Sequence, residues 1–208
     1  MNSTARKVLA LCGMAQPVVF AAFVVVEGLL EPRYSQVVDT ISDYAVGPNG
    51  FLQDLSFWIT GLLLVAFSIG LRNGLPAKEP GGKVAPLLLL VTGVCVFLVG
   101  FFVADLPGAP VTVHGDIHIA LSFVAFVSLA AAIWVTWGAQ RADPRWGVFA
   151  SVSLGFGFAA AFALLVFFGA QLPGLQGLVE RLVLGVLFLW VAVTAFGLYH
   201  LKSATTAS

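Results

Sequence analysis

The sequence predicts an all-α integral membrane protein, a polytopic bundle of six transmembrane helices in a single domain covering residues 1–208. Composition is the first reason: 60% of the residues are hydrophobic and only 10% are charged, whereas soluble domains carry about 25% charged residues. The second reason is that the apolar residues fall into six runs. Each is close to the roughly 20 residues that a helix needs to cross a bilayer.

The six runs are predicted to be helices rather than strands, because backbone groups in lipid must find their hydrogen-bond partners within the same segment. Arg6 and Lys7 precede the first run in the manner of a signal peptide. That run is long and lacks a small-x-small cleavage site, so we assign it as the first span. The predicted spans are about 8–30, 52–71, 84–104, 117–137, 146–168 and 178–198.

The cations predict the orientation of these spans. Eight of the ten fall on one side of the predicted membrane, whereas only Arg33 and Arg181 fall on the other. By the positive-inside rule, both termini are expected in the cytoplasm and the protein in the cytoplasmic membrane. The formal net charge is zero, so no face for nucleic acid is indicated. The eight cations are Arg6, Lys7, Arg72, Lys78, Lys83, Arg141, Arg145 and Lys202.

A weak internal repeat indicates that the spans form three hairpins. The segment from Phe101 to Gly108, with sequence FFVADLPG, resembles the segment from Phe167 to Gly174, with sequence FFGAQLPG, 66 positions later. Pro-Gly is a natural helix stop, and each copy closes an odd-numbered span on the outer side. Where the first copy has Asp105, the second has Gln171. This difference indicates a role for Asp105 beyond ending a helix.

Acids and histidines collect on the extracytoplasmic half, where we expect a polar site. The longest outer segment, residues 31–51, mixes apolar residues and acids at a spacing typical of a short amphipathic helix at the interface. Asp39, Ser42 and Asp43 fall on adjoining faces of it, so this helix is expected to form a lid over the bundle. Outside the segment the site is expected to include Asp105, His114, Asp116, His118 and Glu180.

His114 and His118 lie one helical turn apart at the start of the fourth span. Histidines at i and i+4 can share a zinc ion if Asp105 or Asp39 supplies a further ligand. The alternative is a hydrogen-bonded network at the interface, in which Asp116 is an acid that stabilises the first turn of the helix. No cofactor is predicted, and zinc at His114, His118 and Asp105 is the alternative.

Glu27 lies inside the first span, where an ionisable side chain is costly and is therefore a functional candidate. The alternative is that its carboxylate reaches the nearby interface. A carboxylic acid kept protonated in an apolar site is a usable general acid. The two outer arginines, Arg33 and Arg181, either neutralise acids or hold an anionic head group. A salt bridge from Arg181 to Asp39 or Asp105 is the favoured interpretation.

The chain contains 18 phenylalanines, five tryptophans and three tyrosines. Many are expected to face lipid or the helix core. Rings around a central pocket would also stabilise a transient carbocation through their quadrupoles.

Four segments, taken in order, resemble a family of small bacterial membrane proteins catalogued as domain of unknown function 998. The resemblance covers about residues 8–198 and implies a six-helix bundle with no settled chemistry. It matches the family's polar positions to Asp39, Ser42, Asp105, His114, His118, Glu180 and Arg181. The segments are Tyr34-Ser-Gln-Val-Val-Asp39-Thr-Ile41-Ser42, Ala104-Asp105-Leu-Pro107, His114-Gly115-x-x-His118 and Glu180-Arg181.

Two more distant families suggest chemistry. The superfamily that contains alkaline ceramidases holds zinc with three histidines, a serine and an aspartate among seven spans, whereas this chain has six spans and two usable histidines. Integral-membrane terpene cyclases use acidic residues in an aromatic-lined bundle to protonate an isoprenoid, and this chain is similar to them in its site residues rather than in its sequence.

The leading hypothesis is an intramembrane enzyme that acts on an isoprenoid or other lipid by acid-initiated cyclisation or isomerisation. Asp105, Asp39 or Glu27 would be the general acid, and His114 or His118 would orient or reprotonate it. A zinc-dependent lipid hydrolase and a non-enzymatic lipid-binding protein are the alternatives, and the oligomeric state is left open. Predicted substrate-binding residues are Arg33, Ser42, Glu180, Arg181, Asp116 and Tyr34.

Overall fold

The computed structural model describes residues 2–170 and 172–201, and in this part of the chain every regular element is helical. Six helices are long and apolar enough to cross a membrane by length and composition, which confirms the predicted all-α six-span class. Their bounds are α1 Ser3–Leu30, α2 Phe51–Gly74, α3 Gly81–Val99, α4 Val113–Gln140, α5 Val148–Leu165 and α6 Gln176–His200. Helix α5 continues as a π-helical turn, Val166–Ala170.

The predicted third span is too long at its C-terminal end. Helix α3 ends at Val99 and Gly100 is its C-cap, so Ala104 and Asp105 lie in the loop before α4 rather than on a helix. The Asp105 carboxylate accepts hydrogen bonds from the backbone N–H and the hydroxyl of Thr112, at 2.7 and 2.8 Å. Asp105 is thereby fixed beside the start of α4.

The helices form a closed ring in which each packs against its neighbours in sequence, and α6 packs against α1. Helix α5 is the most peripheral, since its buried residues are only Ser153, Gly157 and Ala160, whereas eleven residues of α2 are buried. We call the end of the bundle at which α2, α4 and α6 begin the lid end. Residues 31–50, which cross this end between α1 and α2, are called the lid.

The two copies of the internal repeat make equivalent turns at the lid end. Gly108 and Gly174, which the repeat aligns, both have a positive φ, of 82° and 75°. That region of backbone conformation favours glycine because side chains with a Cβ are strained there. The repeat's Gln171 lies outside the described residues.

Helices α2 and α3 approach each other closely at Gly61 and Gly93. A Cβ at Gly61 would lie 2.6 Å from the Gly93 carbonyl oxygen, and a Cβ at Gly93 would lie 2.9 Å from the Gly61 carbonyl oxygen. Small residues that let helix backbones meet are a common way of packing membrane helices. This contact fixes the distance between α2 and α3.

We expect Gly61→Ala to destabilise the fold by about 1–3 kcal/mol, because the added methyl group overpacks a backbone contact that cannot yield cheaply. The measurement is the thermal unfolding midpoint of purified protein in detergent. Gly155→Ala on α5 is the matched control, since a Cβ at Gly155 meets nothing within 4 Å. An equal shift for the two variants would show that α2 and α3 do not touch at Gly61.

Candidate functional site

A cavity of about 1020 Å³ lies at the lid end, lined by residues of the lid, of α1 to α4, of the π-helical turn after α5 and of α6. Its walls are largely aromatic and aliphatic, with Phe20, Phe57, Phe126 and Phe188 from four different helices. Ligand pockets commonly have volumes of about 300–1,000 Å³, with apolar walls and a few convergent polar groups. Here those polar groups include Ser42, Asp43, Asp105, Asp116, His118 and Glu180.

The lid is held against the start of α6 by backbone hydrogen bonds. Gly177 donates its N–H to the Val38 carbonyl oxygen at 3.2 Å, and Leu178 donates to that of Val37 at 3.0 Å. The first N–H groups of a helix have no partner within it and must find one outside. The lid supplies these acceptors, so α6 and the lid stabilise each other.

Two side chains of α6 extend this attachment. The Glu180 carboxylate accepts the Ile41 backbone N–H at 2.5 Å. Arg181 donates to the Asp39 carbonyl oxygen at 3.0 Å and to the Tyr34 hydroxyl at 3.0 Å, with its guanidinium 5.5 Å from the Tyr34 ring centre. The expected salt bridge from Arg181 to the carboxylate of Asp39 or Asp105 is therefore wrong, because the arginine binds a main-chain oxygen and a phenol.

The lid contains a short 3₁₀ helix, Ile41–Val46, where the sequence predicts a short amphipathic helix. The helix ends at Val46. Its C-cap residue, Gly47, has an extended backbone with ψ of 174°, as expected before Pro48. Its start is capped by Asp43, which accepts the Thr40 N–H at 2.8 Å. Burial raises the pKa of the Asp43 carboxyl, and the nearby Asp39 carboxylate adds to this. Burial also raises the pKa of the Tyr34 phenol.

His118 of α4 binds the loop after α3 through one ring nitrogen and the lid through the other. Nδ1 lies 2.7 Å from the Phe102 carbonyl oxygen, and Nε2 lies 3.0 Å from the Ser42 hydroxyl oxygen. A carbonyl oxygen only accepts hydrogen bonds, so Nδ1 carries the proton and Nε2 of the neutral ring accepts the hydroxyl proton of Ser42. The result is a serine hydroxyl aimed at a base whose orientation is set by a third group.

The remaining predicted acids differ in whether they line the cavity and in what their carboxylates bind. Asp105 lines the cavity, but its carboxylate is held by Thr112. Asp39 accepts the Ser35 N–H at 2.7 Å and does not line the cavity. Glu27 is 1% exposed and faces the bundle interior rather than the interface, but it also lies off the cavity. Neither Glu27 carboxylate oxygen has a hydrogen-bond partner among the described residues.

Three other predicted site residues are exposed. His114 contacts the Phe102 ring, with ring centres 5.5 Å apart, and does not line the cavity. Arg33 also lies away from the cavity. Asp116 is exposed but stands on the cavity rim. The histidines of the HxxxH pair thus face different surroundings.

Within residues 2–170 and 172–201, no group of three or more His, Cys, Asp or Glu side chains is arranged to hold a metal ion. Both ring nitrogens of His118 already have partners, whereas His114 lies on the exposed side of the same helix. Zinc at His114, His118 and Asp105 stays a prediction that the geometry does not favour.

Ser42 and His118 are both predicted site residues, but their sequence positions do not predict that they bind each other. They are 76 positions apart, and the group that orients the imidazole is a main-chain oxygen of Phe102, for which no side-chain pattern exists. The one available signal was the order of motifs in the family resemblance, which contains both residues.

A family model with the description "Protein of unknown function (DUF998)" matches residues 14–197 of the chain. The match covers most of the chain, including Ser42, His118 and Glu180. No curated protein and no solved structure gives a significant match.

Proposed function

The chain belongs to the family described as Protein of unknown function (DUF998), and on that premise we propose that it is an intramembrane enzyme acting on a lipid ester. The apolar part of the lipid occupies the cavity, Ser42 is the nucleophile and His118 is the general base. The proposal depends on one observation, the hydrogen-bonded series of the Ser42 hydroxyl, the His118 ring and the Phe102 carbonyl, in which Ser42 and His118 line the cavity.

The geometry supports acyl transfer. The Ser42 Oγ attacks the ester carbonyl carbon while its proton moves to His118 Nε2, and His118 then gives that proton to the departing alcohol. Water hydrolyses the acyl-serine and restores the hydroxyl. The Phe102 carbonyl holds the ring in the tautomer that the first step needs, as a carboxylate does in many serine enzymes.

The apolar walls support a lipid as the substrate. If each non-hydrogen atom occupies about the volume of a liquid water molecule, about 30 Å³, the cavity accommodates roughly thirty of them. That is the size of a single-chain lipid with a small head group. Ser42, His118 and Glu180 are among the few polar residues that line the cavity, and most of its other lining residues are apolar.

The lid end is proposed to face the extracytoplasmic side of the cytoplasmic membrane. Arg33 and Arg181 are at this end, whereas Arg6, Lys7, Arg72 and Arg141 are near the opposite end of the bundle. This asymmetry supports cytoplasmic termini by the positive-inside rule. Lys202, which contributes to the predicted asymmetry, lies outside the described residues.

The test is covalent labelling of Ser42. Purified protein in lipid nanodiscs is treated with a long-chain alkyl fluorophosphonate, and the labelled peptide is identified by mass spectrometry. We expect the label on Ser42 and its loss in Ser42→Ala. Ser128→Ala is the matched control, because the Ser128 hydroxyl is also hydrogen-bonded, but to Thr92 rather than to a histidine. Absence of label on Ser42 in the folded protein would contradict the proposal.

Acid-initiated isoprenoid cyclisation or isomerisation is the second candidate, and Glu180 is the observation in its favour. This carboxyl group is 7% exposed and lines the cavity, with Phe126, Phe167 and Phe188 among the other lining residues. Ring faces of this kind stabilise a carbocation. Glu180 would then be the acid in place of Asp105, Asp39 or Glu27. Such a reaction in D₂O incorporates deuterium into a product of otherwise unchanged mass, which ester hydrolysis does not do.

A further inference from the structure

The cavity has an exposed apolar edge along one side of the bundle. Ile119 and Phe123 of α4 line the cavity and are 65% and 50% exposed. Across from them, Phe168 of the π-helical turn and Leu172 also line it and are 40% and 39% exposed. We call these four residues the α4–α5 seam. A side chain that lines the cavity and is also exposed at the surface lies at an opening of the cavity.

The lid covers the cavity at the end of the bundle, where residues 40–43 line it. The lid is joined to α6 by the backbone bonds of Val37 and Val38, by the Glu180 contact to Ile41 and by Arg181. Two residues of the lid itself, Ile41 and Tyr44, are buried. Opening the lid would break all of these bonds together. The seam involves ring contacts instead, with Phe123 and Phe168 centres 5.3 Å apart.

The opening changes character along its length. Asp116 and Gln176, in the first turns of α4 and α6, are exposed and stand on the cavity rim at the lid end. Phe123 and Phe168 lie further along the apolar helices. The opening is thus polar at the first turns of α4 and α6, and it is aromatic further into the membrane-spanning part of the bundle. A lipid in the bilayer has the same division between its head group and its chain.

Helix α5 is the element best able to move at this seam. It is the most peripheral helix, and none of the five residues in its π-helical turn is buried. π-Helical turns inside α-helices are frequently found at functional sites. A shift of this end of α5 would separate aromatic rings without exposing a buried core.

We infer that the α4–α5 seam is the portal through which a single-chain lipid moves laterally from the surrounding leaflet to Ser42. The inference rests on the proposed function, because it takes the cavity to be the substrate site. The lipid's head group passes along Asp116 and Gln176 while its chain passes between Phe123 and Phe168. The substrate is therefore a bilayer-resident lipid and not a water-soluble ester.

The test cross-links the seam and measures lipid uptake without catalysis. In a Cys12→Ala, Cys95→Ala, Ser42→Ala background, Phe123→Cys and Phe168→Cys are joined by a short bis-methanethiosulfonate reagent. Uptake of a photoreactive single-chain lipid ester from nanodiscs is then followed by cross-linking yield over time. We expect the uptake rate to fall at least 10-fold on cross-linking and to recover on reduction. The reduced form of the same protein is the reference for folding.

The matched control locks the lid instead. The Leu178 N–H donates to the Val37 carbonyl oxygen, so these two positions are neighbours where the lid meets α6. A cross-link between Val37→Cys and Leu178→Cys is expected to change uptake by less than about two-fold. Unchanged uptake with the seam locked, or loss of uptake with the lid locked, would overturn the portal. The Ser42 label tests the proposed function separately, since the uptake measurement uses a protein without that hydroxyl.

A second variant tests the portal in the opposite direction. Phe168→Ala removes one of the two facing rings and is expected to increase the uptake rate several-fold. Phe158→Ala on the exposed face of the same helix, which does not line the cavity, is expected to leave the rate unchanged. Equal uptake rates for the unsubstituted protein, Phe168→Ala and Phe158→Ala would contradict a portal at the seam.

Discussion

His118→Gln is expected to lower the turnover number for a single-chain lipid ester by at least about 10³-fold. Glutamine is similar in length and keeps a polar group near Ser42, but it cannot take up the hydroxyl proton. Ser42→Ala should cause a loss of the same order. Because the two residues act as one unit, the double variant should be no slower than either single variant.

The matched control for His118→Gln is His114→Gln, four positions earlier on the same helix. His114 is exposed and lies away from the cavity, so we expect its replacement to change turnover by less than about two-fold. Turnover is measured by product formation in mixed micelles, with circular dichroism to confirm the helix content of each variant. Losses that multiply in the double variant would show that Ser42 and His118 do not act together.

The six-span fold was predictable because bilayer thickness sets the length of an apolar run. The predicted second, fourth, fifth and sixth spans differ from the helices by only a few residues at each end. The end of α3 was not predictable from hydropathy, since Phe101, Phe102, Val103 and Ala104 continue the apolar run beyond Gly100. The helix ends in tight turns, in which the N–H groups of Phe101 and Phe102 bind the carbonyl oxygens of Leu98 and Val99.

The site was predictable as a set of residues but not as a set of partners. Scarce polar residues at one end of the predicted bundle identified Ser42, His118 and Glu180, and all three line the cavity. Composition and spacing do not show which carboxylates already accept hydrogen bonds from nearby groups. Asp39 binds its own turn and Asp105 binds Thr112, so neither carboxylate is free of local hydrogen bonds.

Main-chain partners explain most of what sequence analysis missed. The Phe102 carbonyl orients His118, the Ile41 N–H binds Glu180, and the Asp39 carbonyl binds Arg181. Every residue has a backbone carbonyl, and every residue except proline has a backbone N–H, so no pattern of side chains can reveal these partners. In each case a loop backbone meets a helix side chain, which depends on tertiary structure alone.

Glu180→Leu is expected to destabilise the lid by about 1–3 kcal/mol, because the Ile41 N–H keeps its burial and loses its acceptor. Ile41 precedes Ser42 directly, so release of this bond should also displace the hydroxyl from His118. A shift of about 1 Å in a reacting group can lower the rate about 10²-fold. We therefore expect loss of lid protection and of turnover together, the first measured by limited proteolysis between α1 and α2.

Glu180→Gln is the matched variant, because its amide oxygen can still accept the Ile41 N–H. We expect the lid to stay protected from proteolysis in this variant, whereas Glu180→Leu is cleaved. Gln also removes the acidic proton, so a proton-initiated isoprenoid reaction would be abolished in a protein whose lid is intact. Equal cleavage of the two variants would mean that the carboxylate charge, and not the hydrogen bond to Ile41, holds the lid over Ser42.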